Sequence, residues 1–163
     1  MYFGESQISL DEKGRLSVPR QFRELMAADD RDSPWYMTRG FDGAIFVFPL
    51  EVWKKLKDLG SGHSLLEPRM LDFRRMFVGS ATRVKLDRAS RFGVPALLRE
   101  YADLEKEGVL VGVDDHLELW SKEGWCTFQK QQMAQYKEMA AELFATARTD
   151  ASTTEGAEKN VEN

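Results

Sequence analysis

The chain has 163 residues, of which 42% are hydrophobic, 31% charged and 11% aromatic, a composition typical of a soluble globular protein. No apolar run is long enough to span a bilayer, and the N-terminus lacks the basic start and apolar stretch of a signal peptide. A single cysteine, Cys126, excludes a disulfide framework. These features predict a cytoplasmic protein without a membrane partner.

In the first half of the chain, short stretches of alternating apolar residues are separated by turn residues and prolines. Apolar residues at period two predict strands near residues 8–10 and 16–18, joined by a hairpin turn at Asp11–Gly14. Pro19 predicts the start of a short helix over 20–26, followed by a polar loop over 27–34. Further strands are expected at 36–38 and 44–48, and a helix is expected from Pro49.

The second half repeats this order after an intervening helix. Strands are predicted near 82–86, 91–94, 109–111 and 117–120, and Pro95 predicts another short helix. Ser121 is a plausible N-cap for a final helix that reaches about residue 145. The polar segment 146–163 is predicted to be a disordered tail.

The chain contains an internal duplication. Leu10–Pro19 aligns with Leu86–Pro95 at an offset of 76 residues, and Gly40–Trp53 aligns with Gly112–Trp125 at an offset of 72. The second copy has therefore lost four residues between its two blocks. One copy cannot bury much surface alone, so we expect one α+β, mainly β, barrel-like body built from both copies, with helices outside it.

These boundaries predict five segments. They are a first repeat at 4–53, a linker helix at 54–78, a second repeat at 79–125, a C-terminal helix at 126–145 and the tail at 146–163.

Charge is segregated along the chain. The net charge is −4, which alone argues against binding to nucleic acid. However, residues 69–91 hold seven basic and two acidic residues, whereas residues 100–118 hold one basic and seven acidic residues. An acidic protein can therefore still present a basic face, and such segregation also suits subunits that pack head to tail.

Catalytic and metal-binding motifs are missing from the sequence. The two histidines and the cysteine are far apart, unlike the clustered ligands of a zinc site. No Walker loop, G-x-G-x-x-G, H-E-x-x-H or G-x-S-x-G is present. We therefore expect no enzymatic activity, cofactor, metal or small-molecule substrate.

The segment Asp11–Pro19 resembles the D-x-x-G-R-[ILV]-x-[ILV]-P signature of AbrB-like swapped-hairpin domains. Two such blocks, with Phe3–Glu5, Thr38–Gly43, Val109–Val113 and Trp120–Trp125, resemble the MraZ family over about residues 1–145. The resemblance implies a swapped-hairpin double β-barrel of two SpoVT-AbrB-like repeats. It also implies a nucleoid-associated DNA-binding transcriptional regulator, which acts as a ring-shaped homo-oligomer on repeated sites in the promoter of the division and cell-wall gene cluster.

The resemblance also assigns the DNA interface to the hairpin turns. The residues expected to contact double-stranded DNA are Lys13, Gly14, Arg15 and Arg20 in the first copy, and Arg88 and Arg91 in the second. Arginine suits this role because its fork of donors matches phosphate and guanine edges. Asp11 and Asp87 are interpreted as structural acceptors within the turns.

Three alternatives remain at this point. Arg15 could pair with Asp11 and serve only the turn. The protein could be an antitoxin-like AbrB module that also binds a toxin, or an oligomeric scaffold that binds no DNA. In the second copy, Ser90 stands where the signature has glycine. Because a non-glycine residue at positive φ costs free energy, Ser90 predicts a different shape for the second turn.

Overall fold

The computed structural model describes residues 1–59 and 68–145. Residues 60–67, within the predicted linker helix, and the predicted tail at 146–163 lie outside the described residues. The chain divides into two units, Met1–Trp125 and Cys126–Asn163. Within the described ranges, no helix is both long and apolar enough to cross a membrane.

The eight strands of the described residues lie in the first unit. They are β1 Glu5–Ser9, β2 Arg15–Ser17, β3 Trp35–Arg39, β4 Ile45–Pro49, β5 Thr82–Val84, β6 Arg91–Gly93, β7 Glu107–Val113 and β8 His116–Ser121. The helices are α1 Arg20–Leu25, α2 Ala28–Asp32, α3 Leu50–Leu59, α4 Pro68–Phe77, α5 Ala96–Tyr101, α6 Lys122–Met133 and α7 at 136–145. The protein is therefore α+β, with antiparallel strands throughout.

Two helix predictions need correction. The segment predicted as a polar loop contains α2, which Trp35 anchors by donating from Nε1 to the Asp30 carbonyl at 2.8 Å. The predicted final helix is interrupted at residues 134–135 and forms two segments, α6 and α7; nothing in the residue types explains this break. Ser121 does cap α6, because its Oγ accepts a hydrogen bond from the Gly124 amide at 3.2 Å.

The strands pair with the symmetry that the duplication predicts. One sheet has the order β1-β7-β8-β4-β3-β5, and a second, two-stranded sheet consists of β2 and β6. If each strand is exchanged for its counterpart in the other copy, the same order is read backwards. The two copies are thus related by a local twofold axis.

The register locates this axis. In the two-stranded sheet Leu16 lies opposite its own counterpart Phe92, and in the large sheet Phe46 lies opposite its counterpart Glu118. The register also corrects the alignment of the repeats. Since Ile8 pairs with Gly108 and the equivalent Val84 pairs with Trp35, Gly108 corresponds to Trp35, and Gly112 to Arg39 rather than to Gly40.

The local hairpin predicted around Asp11–Gly14 is largely absent. Leu10 and Leu16 form a single isolated bridge, whereas β1 pairs with β7 and β2 with β6. The turn is formed as predicted, but its flanking strands find their partners in the other copy. The alternating pattern specifies which face of a strand is buried, and it does not specify the partner strand.

Both copies contribute equivalent side chains to one core. Phe22 and Leu98, on α1 and α5, are fully buried, and Trp35 packs edge-on against Phe92 with ring centroids 5.5 Å apart. The buried cluster runs through strands of both copies. One copy alone would expose this surface to water, so the fold requires both.

Candidate nucleic-acid interface

The two-stranded sheet of β2 and β6 carries the two signature arginines on one face. Leu16 and Phe92 are buried beneath it, whereas Arg15 and Arg91 lie on the opposite face with side chains 32% and 31% exposed. Opposite Arg15 in the register is Gly93, where an added Cβ would meet open space. We call this surface the arginine ribbon: an antiparallel pair of strands with two partly exposed guanidinium groups.

Asp11 organises the first turn, Asp11–Arg15. Its Oδ1 accepts hydrogen bonds from the amides of Lys13 at 2.9 Å and Arg15 at 3.0 Å. Its Oδ2 accepts one from Arg15 Nε at 2.8 Å and lies 2.8 Å from Nη2. Gly14 adopts a φ of 70°, which glycine tolerates. The hydrogen bonds from Arg15 lower the pKa of Asp11 to about 2, so the carboxylate stays charged at neutral pH.

The second turn, Asp87–Arg91, has the same geometry, so the prediction of a different shape was wrong. Asp87 accepts hydrogen bonds from the amides of Ala89 at 2.9 Å and Arg91 at 3.0 Å, and from Arg91 Nε at 2.8 Å. Ser90 takes the position of Gly14 with a φ of 56°. The hydrogen bonds of Arg91 to Asp87 lower the pKa of that carboxyl group and raise the pKa of Arg91.

Tertiary contacts explain why Ser90 accepts this conformation. The Val18 amide, in the other copy, donates to the Ser90 carbonyl at 3.0 Å, and the Val94 amide donates equivalently to the Gly14 carbonyl at 2.9 Å. Each turn is therefore held by its own aspartate and by a backbone bond from the opposite repeat. Together these bonds offset the local cost of a positive φ.

The turns bring the two arginines close together. Besides pairing with Asp87, Arg91 places Nη1 4.0 Å from Oδ2 of Asp11, so Asp11 faces both guanidinium groups. The Asp11–Arg15 ion pair expected of a purely structural arginine is present. That pair engages Nε and Nη2, whereas a guanidinium has five N–H donors. The geometry thus orients Arg15 while leaving donors for a ligand.

The other predicted residues lie around the ribbon. Lys13 is exposed in the first turn. Arg20 and Arg88 line one surface cleft beside the second turn, and Arg20 Nε lies 2.6 Å from Glu24 Oε1. The structure therefore groups Arg15 with Arg91, and Arg20 with Arg88. In the described ranges, no set of three or more His, Cys, Asp or Glu residues is arranged to hold a metal ion.

Sequence reasoning missed three further arginines. Arg23 and Arg31 line the same cleft as Arg20 and Arg88. Arg99 lies over the first turn, where a Cβ added to Gly14 would be 2.9 Å from its Cζ. The first block of the repeat alignment, extended at its offset of 76 residues, pairs Arg23 with Arg99 and so contained a signal. Nothing in the sequence singled out Arg31.

Comparison with known proteins identifies the family. The family model described as "MraZ protein, putative antitoxin-like" matches residues 1–72 and again residues 76–147. Proteins named Transcriptional regulator MraZ from Lactiplantibacillus plantarum, Natranaerobius thermophilus and Desulfitobacterium hafniense are 39%, 36% and 38% identical to the chain over 143 residues. The matches cover 88% of this chain and 98%, 96% and 96% of the respective relatives. The chain therefore belongs to the MraZ family.

Proposed function

We propose that the chain is a sequence-specific DNA-binding transcriptional regulator and not an enzyme. One observation carries the proposal: the two turns hold Arg15 and Arg91 side by side, each oriented by its own aspartate, on one face of a two-stranded ribbon. The names of the relatives, which describe transcriptional regulators, support the same function.

In this proposal the arginine ribbon enters the major groove of DNA. The major groove of B-DNA admits a two-stranded β-ribbon, and arginine forms bidentate contacts with O6 and N7 of guanine. In this proposal Arg15 and Arg91 contact base edges, while Lys13 and Gly14 approach the backbone. Asp11 and Asp87 hold the guanidinium groups in one orientation, which reduces the entropy lost on binding.

The proposal extends to the architecture and assembly. The exchange of strand partners between the repeats, proposed to span 4–53 and 79–125, supports a swapped-hairpin double β-barrel. The linker segment at 54–78 and the C-terminal segment at 126–145 complete the proposed organisation. Copies of the chain form a ring, for which the opposite charges of 69–91 and 100–118 suit head-to-tail contact.

A ring would compensate for the small size of each interface. One chain neutralises few phosphates, so its affinity for a single site is low. Several linked copies on repeated sites raise the effective concentration of each further contact. The proposed DNA target is a set of repeated double-stranded sites in the promoter of the division and cell-wall gene cluster. A protein bound to this target would lie in the cytoplasm at the nucleoid.

Anisotropy titration with labelled DNA from upstream of the protein's own gene tests the function. Arg15→Ala should weaken binding by about 5- to 150-fold, the equivalent of one bidentate base contact. Arg15→Lys retains the charge and should recover little of this loss, because the fork is missing. The control Lys122→Ala removes an exposed charge outside both turns and should change affinity less than twofold.

Light scattering on the same variants separates binding from assembly. Arg15→Ala should leave the oligomer size unchanged. If the wild type does not bind the upstream DNA even at low salt, the proposed regulatory function is wrong and an oligomeric scaffold is favoured.

The description of the family as antitoxin-like favours a second candidate, an AbrB module that binds a toxin as well as DNA. Affinity purification of the full chain from its own cells would test this function. A small nuclease that co-purifies in stoichiometric amount and loses activity in the complex would support it.

A further inference from the structure

A cleft beside the second turn brings together four arginines. It lies between α1, α2 and the segment Leu86–Ser90 and has a volume of about 490 Å³. We call it the arginine cleft. Its cationic side chains are those of Arg20, Arg23, Arg31 and Arg88.

Three carboxylates also line the arginine cleft, but two of them have partners. Glu24 pairs with Arg20 at 2.6 Å, and Asp87 pairs with Arg91 at 2.7 Å. Asp32 is the third. Since Arg91 lies outside the cleft lining and neutralises Asp87, the cleft retains positive charge.

The arrangement of the cations suits an anion. Arg31 donates from Nη2 to the Arg23 carbonyl at 2.9 Å, which ties α2 to α1 at this place. Arg23 and Arg88 are exposed, and neither forms an ion pair within the part of the chain that the structure describes. These two guanidinium groups therefore keep donors for a ligand from outside the chain.

The equivalent place in the other half has different chemistry. The twofold axis relates Arg88 to Glu12 and Arg20 to Ala96. Only Arg23 has a basic counterpart, Arg99, and that side chain lies against Gly14. The backbone of the two turns thus follows the local twofold symmetry, whereas the charges beside the turns do not.

Ser90 accounts for the different positions of Arg23 and Arg99. At Gly14 the Arg99 guanidinium occupies the space that a Cβ would need, with Cζ 2.9 Å away. Ser90 has that Cβ, which would crowd a guanidinium group in the equivalent position, and Arg23 lines the cleft instead. The departure of the second turn from the D-x-x-G-R signature therefore has a consequence for charge rather than for backbone shape.

We propose that the arginine cleft binds one backbone phosphate of the DNA whose bases face the arginine ribbon. The other half of the chain lacks the cleft, so this particular phosphate contact is present on only one side of the local axis. Such contacts fix position and orientation and carry no base sequence. This inference rests on the proposed function and names a second kind of contact within it.

Salt dependence distinguishes this role from base reading. Affinity is measured from about 50 to 200 mM salt on two duplexes, the upstream sequence and a scrambled sequence of equal length. Arg23→Ala and Arg88→Ala should weaken binding to both duplexes by the same factor. The slope of log affinity against log salt should become shallower by about 1 for each bound chain. Glu12→Ala, at the counterpart of Arg88, should not reduce affinity or slope.

Ethylation interference on the upstream duplex supplies an independent readout. One phosphate in each site should weaken wild-type binding when ethylated and have no further effect on Arg88→Ala. If the cleft variants keep the wild-type slope and interference pattern, the phosphate-binding role of the cleft is wrong, but the proposed DNA-binding function remains valid. The same holds if these variants alter oligomer size instead, which would assign the cleft to an acidic segment of a second copy. A wild type that binds neither duplex overturns both proposals.

Discussion

Leu16 lies directly opposite Phe92 in the two-stranded sheet, and each residue is the other's counterpart in the repeat. Both side chains are almost completely buried, with 0% and 1% of their surface exposed. The local twofold axis therefore passes between a leucine and a phenylalanine. The two copies fill the centre of the fold with side chains of unequal volume beneath the arginine ribbon.

This pairing predicts energetic coupling between the two positions. Leu16→Phe should lower the free energy of unfolding by about 1–3 kcal/mol, because it overfills a closed core. Phe92→Leu should also destabilise the protein, since it leaves a cavity. The double variant restores the total volume, so the two changes should couple by about 0.5–3 kcal/mol. Urea denaturation of the four proteins measures this term, and strict additivity would show that the side chains do not share one space.

Removing the glycine at position 14 and introducing one at position 90 should change the stability of the protein in opposite directions. Gly14→Ala should destabilise the protein by about 1–2 kcal/mol, because a side chain is disfavoured at a φ of 70°. The added Cβ must also displace the Arg99 guanidinium, which lies 2.9 Å from its position. Ser90→Gly relieves strain at φ 56°, and should stabilise by up to about 1 kcal/mol after the entropy of the unfolded chain is counted. Equal melting temperatures for the two variants would contradict this prediction.

The lowered pKa of Asp11 predicts that the first turn stabilises the protein in a defined pH range. A carboxyl group whose pKa falls on folding contributes stability above its unfolded pKa of 3.8, and this contribution is lost as the pH falls through the folded value of about 2. The difference in unfolding free energy between wild type and Asp11→Asn should therefore be largest above about pH 4 and shrink below it. Ser17→Ala, an exposed change in β2 that removes no titratable group, should show no such pH dependence.

His116 predicts the opposite dependence near neutral pH. Burial alone would lower its pKa, but the carboxylates of Glu118 and Asp115 outweigh burial and raise it above 6.5. His116 Nδ1 lies 2.7 Å from Asp115 Oδ1, and Nε2 lies 3.5 Å from Glu118 Oε1, an ion-pair distance without a hydrogen bond. Since the folded state binds the proton more tightly, stability should be greatest below about pH 6.5 and fall as the pH rises through the folded pKa.

His116→Gln provides the control for this effect. Its free energy of unfolding should change less between pH 5.5 and about pH 8 than that of the wild type. An NMR titration of the His116 ring gives the folded pKa directly. A measured value below 6.5 would contradict the prediction.

Local features of the sequence determined the elements and their repetition. The alternation of Leu16, Ser17 and Val18 predicted a half-buried strand, and Pro19 predicted the start of the following helix. These signals are readable because strand periodicity and proline geometry act over a few residues. The first Asp–Arg turn was predicted for the same reason, since Asp11 bonds backbone amides within its own turn.

Only the tertiary structure decided which strands pair, what shape the second turn takes and which arginines share a site. β1 pairs with β7, and the Ser90 conformation is held by an amide from the opposite repeat; both depend on contacts between residues far apart in the chain. The arginine cleft likewise joins Arg31, in a segment predicted as loop, to Arg88 in the second copy. A sequence pattern reports which face of an element is buried, whereas its neighbours follow from the packing of the whole chain.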